Sequence, residues 1–345
     1  MSYSFSLEPE SKNSEAIAVI NKKSKKFGGE FIYINENGES SSLNNKFELF
    51  HDFAKNLKIK QSDYDEILTA IEENDPPENS KLRKIYNDFK EHLKRSNEVK
   101  LPFSDIEILP HIGSNEPGKE SNECILVNGS KGVGKSTWTG KYAEKWQKLF
   151  PKSPIFLLSN KPIEDEPAFN KLKRLIVIPL TKDSLIKIIG EKNIDKLKSK
   201  KSKLDDSDDD SEDEQKGYSP HEYFISKTGQ SLVIVDDFEG TDIEKYVRII
   251  VNSIISVGRS KRIYCVIISH LLCNGKATKL CLSEVDAYCL FIQGISPYHL
   301  KYCLTNYTRL NERQINKICD SNSDWIYIHK KKPSYVIEQH KLWTF

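Results

Sequence analysis

Apolar residues follow two different rhythms along this 345-residue chain. From residue 124 onward they gather into short continuous runs: CILVN at 124–128, PIFLLSN at 154–160, LIVIPL at 175–180, SLVIVDD at 231–237, RIYCVIISH at 262–270 and AYCLFIQG at 287–294. Runs of this length, closed off by polar residues, predict strands buried on both faces. The segments between two of these pairs repeat at helical spacing instead. KSTWTGKYAEKWQKLF places Trp138, Tyr142, Trp146, Leu149 and Phe150 along one face, and DIEKYVRIIVNSIISVG does the same with Ile243, Val247, Ile250, Val251, Ile254 and Ile255. Strands that alternate with helices predict an α/β fold with a mostly parallel sheet flanked by helices. Beyond Pro297 the pattern predicts one or two helices and a short hairpin, DWIYIHKKKPSYVIEQ, closing the edge of the same domain.

The first hundred residues read differently. EFIYI is strand-like, and two amphipathic segments follow a polar stretch. SDYDEILTAIEE aligns Tyr64, Ile67, Leu68 and Ile71, while SKLRKIYNDFKEHLKR aligns Leu82, Ile85, Tyr86, Phe89 and Leu93. Asn74, Asp75, Pro76 and Pro77 separate them, which predicts a helical hairpin within a small N-terminal α+β or helical module over residues 1–100. Residues 101–122, rich in Pro, Gly, Ser and charge, read as a connector, and 123–345 as the main domain. That domain carries an insertion at 196–217, KLKSKKSKLDDSDDDSEDEQKG, a lysine run followed by an acidic run. Charge blocks with almost no apolar residue predict a disordered surface excursion, with an interaction tail as the alternative.

Composition narrows the function classes. A formal net charge of +2 excludes a uniformly basic coat, so any contact with nucleic acid has to come from local lysines such as those in KYAEKWQK, the turn-like CNGKATK and HKKKPSY. The N-terminal MSYSFSLEPESKNSE lacks a basic stretch followed by an apolar core, and no apolar run has bilayer length, so the expectation is an intracellular, cytoplasmic protein without a membrane partner. Seven cysteines with no C-x-x-C pair suit reduced thiols, and the eight-residue spacing of Cys265, Cys273, Cys281 and Cys289 lacks the tight pairs of zinc sites.

The chemistry begins with NGSKGVGKST at 128–137, which fills the template G-x-x-x-x-G-K-[ST] between a strand and a helix. Glycines there let successive backbone N–H groups turn inward onto phosphate oxygens, and the next helix offers its positive end to the same anion. The residues expected to cradle the phosphates are Gly129, Ser130, Lys131, Gly132, Val133, Gly134, Lys135, Ser136 and Thr137. Lys135 is expected to meet the β- and γ-phosphates, and the Ser136 hydroxyl to join the shell of a Mg²⁺ ion. SLVIVDDFEG then delivers Asp236 and Asp237 to the carboxyl end of a strand, where ligands of such sheets bind. Asp236 reads as the metal residue and Asp237 as the general base, with Glu239 as the fallback base. Ser269 and His270 end a third apolar strand as candidate sensors of the γ-phosphate, and Arg259 in SVGRSKR is a candidate finger for a neighbouring subunit. For Arg259, charge complementarity at a helix C-terminus is the competing reading.

Together GSKGVGKST, LVIVDDFEG and the stretch from GRS to YCVIISH resemble the additional-strand class of P-loop NTPases, and within it the FtsK–HerA-type genome-packaging ATPases of large DNA viruses. The resemblance covers roughly residues 120–295. It implies ATP and Mg²⁺ as ligands, phosphate binding by Lys135 and Ser136, metal binding by Asp236, water activation by Asp237 and a trans finger at Arg259. It further implies a homo-oligomeric motor acting on double-stranded DNA, in host cytoplasm or virion. Much of that family has a glutamine where this chain has Ser269 and His270. Two other classes share the phosphate loop: a nucleotide or small-molecule kinase, which needs an arginine-rich lid that the sequence does not show, and a nucleotide-binding structural or regulatory component of a virus particle.

Overall fold

The computed structural model describes residues 3–20, 31–36, 50–51, 53–54, 57, 59–73, 75–95, 98–100, 107–111, 122–190 and 219–345. The charged insertion expected at 196–217 and most of the expected 101–122 connector lie outside these residues. Two compact units emerge: residues 1–111 with 332–345, and residues 112–331.

The first unit opens with strands β1 (Tyr3–Ser6), β2 (Glu15–Ile20) and β3 (Phe31–Glu36). Helices α1 (Gln61–Glu73) and α2 (Ser80–Arg95) follow, then β4 (Glu98–Lys100) and β5 (Ile108–Pro110). The antiparallel sheet runs β1-β3-β2-β5, so a strand stands inside the segment expected to be a connector. Helical spacing placed the apolar face of the hairpin correctly. Ile67, Ile71, Leu82, Tyr86 and Phe89 are buried with Phe50, and Tyr64, Leu68 and Ile85 pack against that cluster.

In the second unit the elements are β6 (Cys124–Asn128), α3 (Lys135–Leu149), β7 (Ile155–Ser159), β8 (Leu175–Pro179), α4 (Lys182–Ile189), β9 (Ser231–Val235), α5 (Glu244–Val257), β10 (Ile263–Ser269), α6 (Lys276–Glu284), β11 (Ala287–Leu290), α7 (Pro297–Tyr307), α8 (Glu312–Cys319) and β12 (Ile326–His329). The stretch CNGKATK, read as a turn, contains the first turn of α6. The chain then returns to the first unit with β13 (Tyr335–Glu338) and β14 (Lys341–Thr344), which pair with each other while β14 also pairs with β4. Residues 332–345 cluster with the N-terminal unit. Periodicity along the chain carries no record of which distant strand is the partner.

Strands of the second unit lie in the order β12-β11-β6-β10-β9-β7-β8. All neighbours from β11 to β8 are parallel, and β12 is antiparallel to β11. Every residue of β6, β7, β9 and β10 is buried, as continuous apolar runs require when both faces of a parallel sheet are covered. The helices supply the cover with Trp138, Tyr142 and Trp146 of α3 and Val247, Ile250, Val251 and Ile254 of α5. Strand β8 is the edge and leaves Ile176 and Val177 exposed.

Gly140 in the middle of α3 shows how closely this cover fits. A Cβ there would overlap the carbonyl oxygen of Ala168 and come within 3.1 Å of its carbon, and a backbone group cannot swing aside. Helix propensity alone would make Gly140→Ala stabilising by about 1 kcal/mol. Overpacking reverses the sign, and we expect a loss of roughly 1–3 kcal/mol, read as a lower urea midpoint at unchanged slope.

Candidate active site

The loop from Asn128 to Ser136 joins the carboxyl end of β6 to the first turn of α3. Gly132 (φ +83°) and Gly134 (φ +102°) occupy the left-handed region that side chains disfavour, and this bends the backbone back toward the helix terminus. Gly294, beyond β11, abuts the same loop: a Cβ on it would overlap the Ser130 hydroxyl and lie 2.7 Å from the Ser130 nitrogen.

Lys135 is buried with its cation turned onto its own loop. Its Nζ donates to Gly129 O at 2.6 Å and Ser130 O at 2.7 Å, and lies 3.0 Å from His270 Nδ1. Burial holds the ammonium below its ordinary pKa, with the carboxylates of Asp236 and Glu239 pulling the other way. Since Nδ1 of His270 accepts from an ammonium, the imidazole is neutral and carries its proton on Nε2, 4.0 Å from Asp237 Oδ1. Burial, and after it the charge of Lys135, lower the His270 pKa and favour this neutral form.

Asp236 and Asp237 follow β9 and diverge in environment. Asp236 is 2% exposed, its Oδ2 is 3.4 Å from Ser136 Oγ, and burial pushes its carboxyl up to about 6 against the opposing pull of Lys161. Asp237 has φ +54°, unusual for a residue with a side chain, and Asn160 Nδ2 donates to its carbonyl oxygen at 3.0 Å. Its carboxylate is 39% exposed, facing Lys161 Nζ at 3.8 Å. Lys161 in turn is bound to Glu166 at 2.8 Å.

Glu239 is placed quite otherwise. Its Oε1 accepts from Ser269 Oγ at 2.6 Å, and its Oε2 accepts from the backbone N–H groups of His270 at 2.6 Å and Leu271 at 3.2 Å. Arg248 on α5 reaches Oε1 at 3.9 Å, pairs with Glu244 at 2.6 Å, and lies over the Phe238 ring at 5.5 Å. With both oxygens engaged and only 6% of the side chain exposed, Glu239 acts as a clamp on the turn after β10. Ser269 is a member of that clamp and also meets the Asn128 amide at 3.3 Å.

Of the sequence-predicted residues, Lys135, Ser136, Asp236, Asp237, Glu239, Ser269 and His270 therefore converge beside the glycines of the loop. Lys131 and Thr137 are exposed at its rim. Arg259 is elsewhere. It precedes β10, at the amino ends of the strands, where its carbonyl accepts from Asn122 Nδ2 at 2.9 Å and its charge acts on Lys331. Seven residues of strand, about 20 Å, separate it from His270. Asn160, Lys161 and Arg248 join the site beyond the sequence-predicted residues. A polar pair closing the apolar run of β7 is the signal that marks the first two, and the i,i+4 spacing of Glu244 and Arg248 marks the third.

Strand order decides the class. Strand β10 lies between β6, which carries the phosphate loop, and β9, which carries the acid pair. The second unit has the fold of the additional-strand P-loop NTPases. No protein-family model matches the chain. In sequence the chain is 27% identical over 254 residues to uncharacterized protein V3 of Sputnik virophage, covering 72% of this chain and 84% of that protein. Among solved structures, it is similar to the genome packaging NTPase B204 of Sulfolobus turreted icosahedral virus 2 in complex with ATP-γS, at 12% identity and a TM-score of 0.39, over 64% of this chain and 98% of that one. It is also similar to the pCW3 conjugation coupling protein TcpA with ATPγS, at 15% identity and a TM-score of 0.38, over 71% of this chain and 66% of that one. Among the described residues no helix is long and apolar enough to cross a membrane.

Proposed function

We propose that the NTPase unit hydrolyses ATP with Mg²⁺ and that the chain uses the reaction to move double-stranded DNA, as a motor of the genome-packaging kind. The observation that carries the hydrolytic reading is the meeting of Lys135, Ser136 and Asp236 with the exposed carboxylate of Asp237, linked through His270, at the carboxyl ends of the strands. The donor set fits the metal: a serine hydroxyl and a buried carboxylate are hard oxygen ligands, and a divalent cation offsets the burial that pushes Asp236 up to about 6. When bound, Mg²⁺ supplies neutralising charge to the phosphate oxygens. The chain's own residues do the rest. Loop amides and Lys135 hold the β- and γ-phosphates, Asp237 takes a proton from the attacking water, and neutral His270 reports from the γ-phosphate side through its contact with Lys135. Glu239 positions the turn that carries His270 instead of serving as a base.

The motif series GSKGVGKST, LVIVDDFEG and YCVIISH supports DNA movement as the purpose, through its resemblance to packaging ATPases, and the virophage relative supports a viral setting. Arg259 has no place in this site within one chain, so in this reading it acts only across a subunit boundary of a homo-oligomer. Phosphate release measured with and without duplex DNA, over a range of protein concentrations, tests these points. Stimulation by DNA and a rate per chain that climbs with concentration are expected. Phosphate transfer to a nucleoside, or stoichiometric binding without release, would overturn the motor, and a concentration-independent rate would remove Arg259 from the mechanism.

A further inference from the structure

All seven cysteines are free thiols, and two thiol pairs stand among them: the buried pair Cys124 and Cys265, and Cys273 with Cys303. Cys273 lies four residues beyond Ser269, on the stretch whose N–H groups at His270 and Leu271 are held by Glu239. It is half-buried, and its Sγ donates to His299 O on α7 at 3.7 Å. Cys303 is one helical turn beyond His299, fully buried, and its thiol is hydrogen-bonded to that of Cys273. We propose that Cys273 and Cys303 form a site of reversible disulfide modification that tethers the turn after β10 to α7.

The roles are unequal. The hydrogen bond from Cys303 draws the Cys273 thiol below its ordinary range, whereas giving that bond, together with burial, raises Cys303. Cys273 is thus the attacking thiol and Cys303 the resolving one. The oxidant is a low-molecular-weight disulfide. The Cys273 thiolate attacks one of its sulfurs, the small S–S bond breaks, and one small thiolate leaves. Cys303, yielding its proton to solvent, then attacks Cys273 Sγ and expels the second small thiolate. Two protein thiols and one small disulfide become one protein disulfide and two small thiols. The remaining cysteines do not compete on the same terms. Cys281 is buried and pushed up to about 12, burial raises Cys289 and Cys319, and in the fully buried pair Cys124 and Cys265 the bond to Cys265, with burial, raises Cys124.

Closing the bond replaces a thiol–thiol hydrogen bond by a separation of about 2.05 Å, which draws the turn toward α7. The same turn holds His270 against Lys135, so closure acts on the nucleotide site; this consequence rests on the ATPase reading above. The full chain is to be incubated with oxidised glutathione, alkylated with N-ethylmaleimide and mapped by mass spectrometry. A peptide pair joined at Cys273 and Cys303, released by dithiothreitol, is expected, and Cys303→Ser should stop at a glutathione adduct on Cys273. A parent chain that also stops at that adduct, or in which both thiols are alkylated, overturns the site. In parallel, phosphate release by the oxidised parent should fall by about fivefold or more and recover on reduction, with Cys273→Ser unaffected by the treatment. An unchanged rate in a chain mapped as joined overturns control of the active site. Absence of hydrolysis before oxidation overturns the ATPase reading and leaves the mapping result intact.

Discussion

Asp237→Asn is expected to bind ATP like the parent chain and to release phosphate on the order of 10²- to 10⁴-fold more slowly, the range that a general base contributes. The substitution is nearly isosteric, and asparagine tolerates the left-handed backbone that Asp237 adopts at φ +54°. Asn160 donates to the backbone carbonyl of residue 237, so that contact survives. Only the negative charge facing Lys161 and His270 disappears. Titration with a fluorescent ATP analogue, paired with a phosphate-release assay, separates binding from chemistry. Glu239→Gln provides the contrast. An amide keeps one acceptor and loses the other, so the clamp on the N–H groups of His270 and Leu271 loosens and the sensor turn moves. Undiminished hydrolysis in Asp237→Asn would return the role of base to Glu239.

Lys135→Ala is expected to weaken nucleotide binding by about a hundredfold or more, because a charged hydrogen bond to a phosphate contributes roughly 1.5–3 kcal/mol and Lys135 has the reach for more than one. The folded state should lose little. Burial already keeps this ammonium below its ordinary pKa, and alanine removes a cation that the fold holds at a cost. Isothermal titration with ATP and a thermal melt of the same sample check both halves. A melt that collapses together with binding would make Lys135 a structural strut for the loop carbonyls of Gly129 and Ser130, its partners at 2.6 and 2.7 Å.

Much of the second unit is legible in the order of residues because buried parallel strands leave continuous apolar runs. CILVN, SLVIV and IYCVIIS are each a strand in the structure, buried throughout. The neighbours of a strand leave no such trace. Nothing in the runs themselves says that β10 separates β6 from β9. Likewise nothing local to YVIE or KLWT binds them to the N-terminal unit. Within the site, Lys135 and Ser136 follow from a motif whose spacing is mechanical, and Asp236 from the acid that closes an apolar strand. The clamp formed by Glu239 does not, since it depends on Arg248 arriving from a helix and on two amides 31 and 32 residues away. Lys161 was missed for the same reason: a lysine after a strand is usually solvated surface, and only the sheet order brings it to Asp237. Arg259, expected to act on a neighbouring subunit, enters β10 at the end far from His270.

The bare Cα of Gly294 against Ser130 gives the phosphate loop a wall on one side. A loop so supported cannot relax toward β11, and its amides keep their aim before any anion arrives. Little of the attraction for a triphosphate is then lost to ordering the receptor, and a side chain added at position 294, well removed from 129–137 in sequence, would disturb the anion cradle from behind.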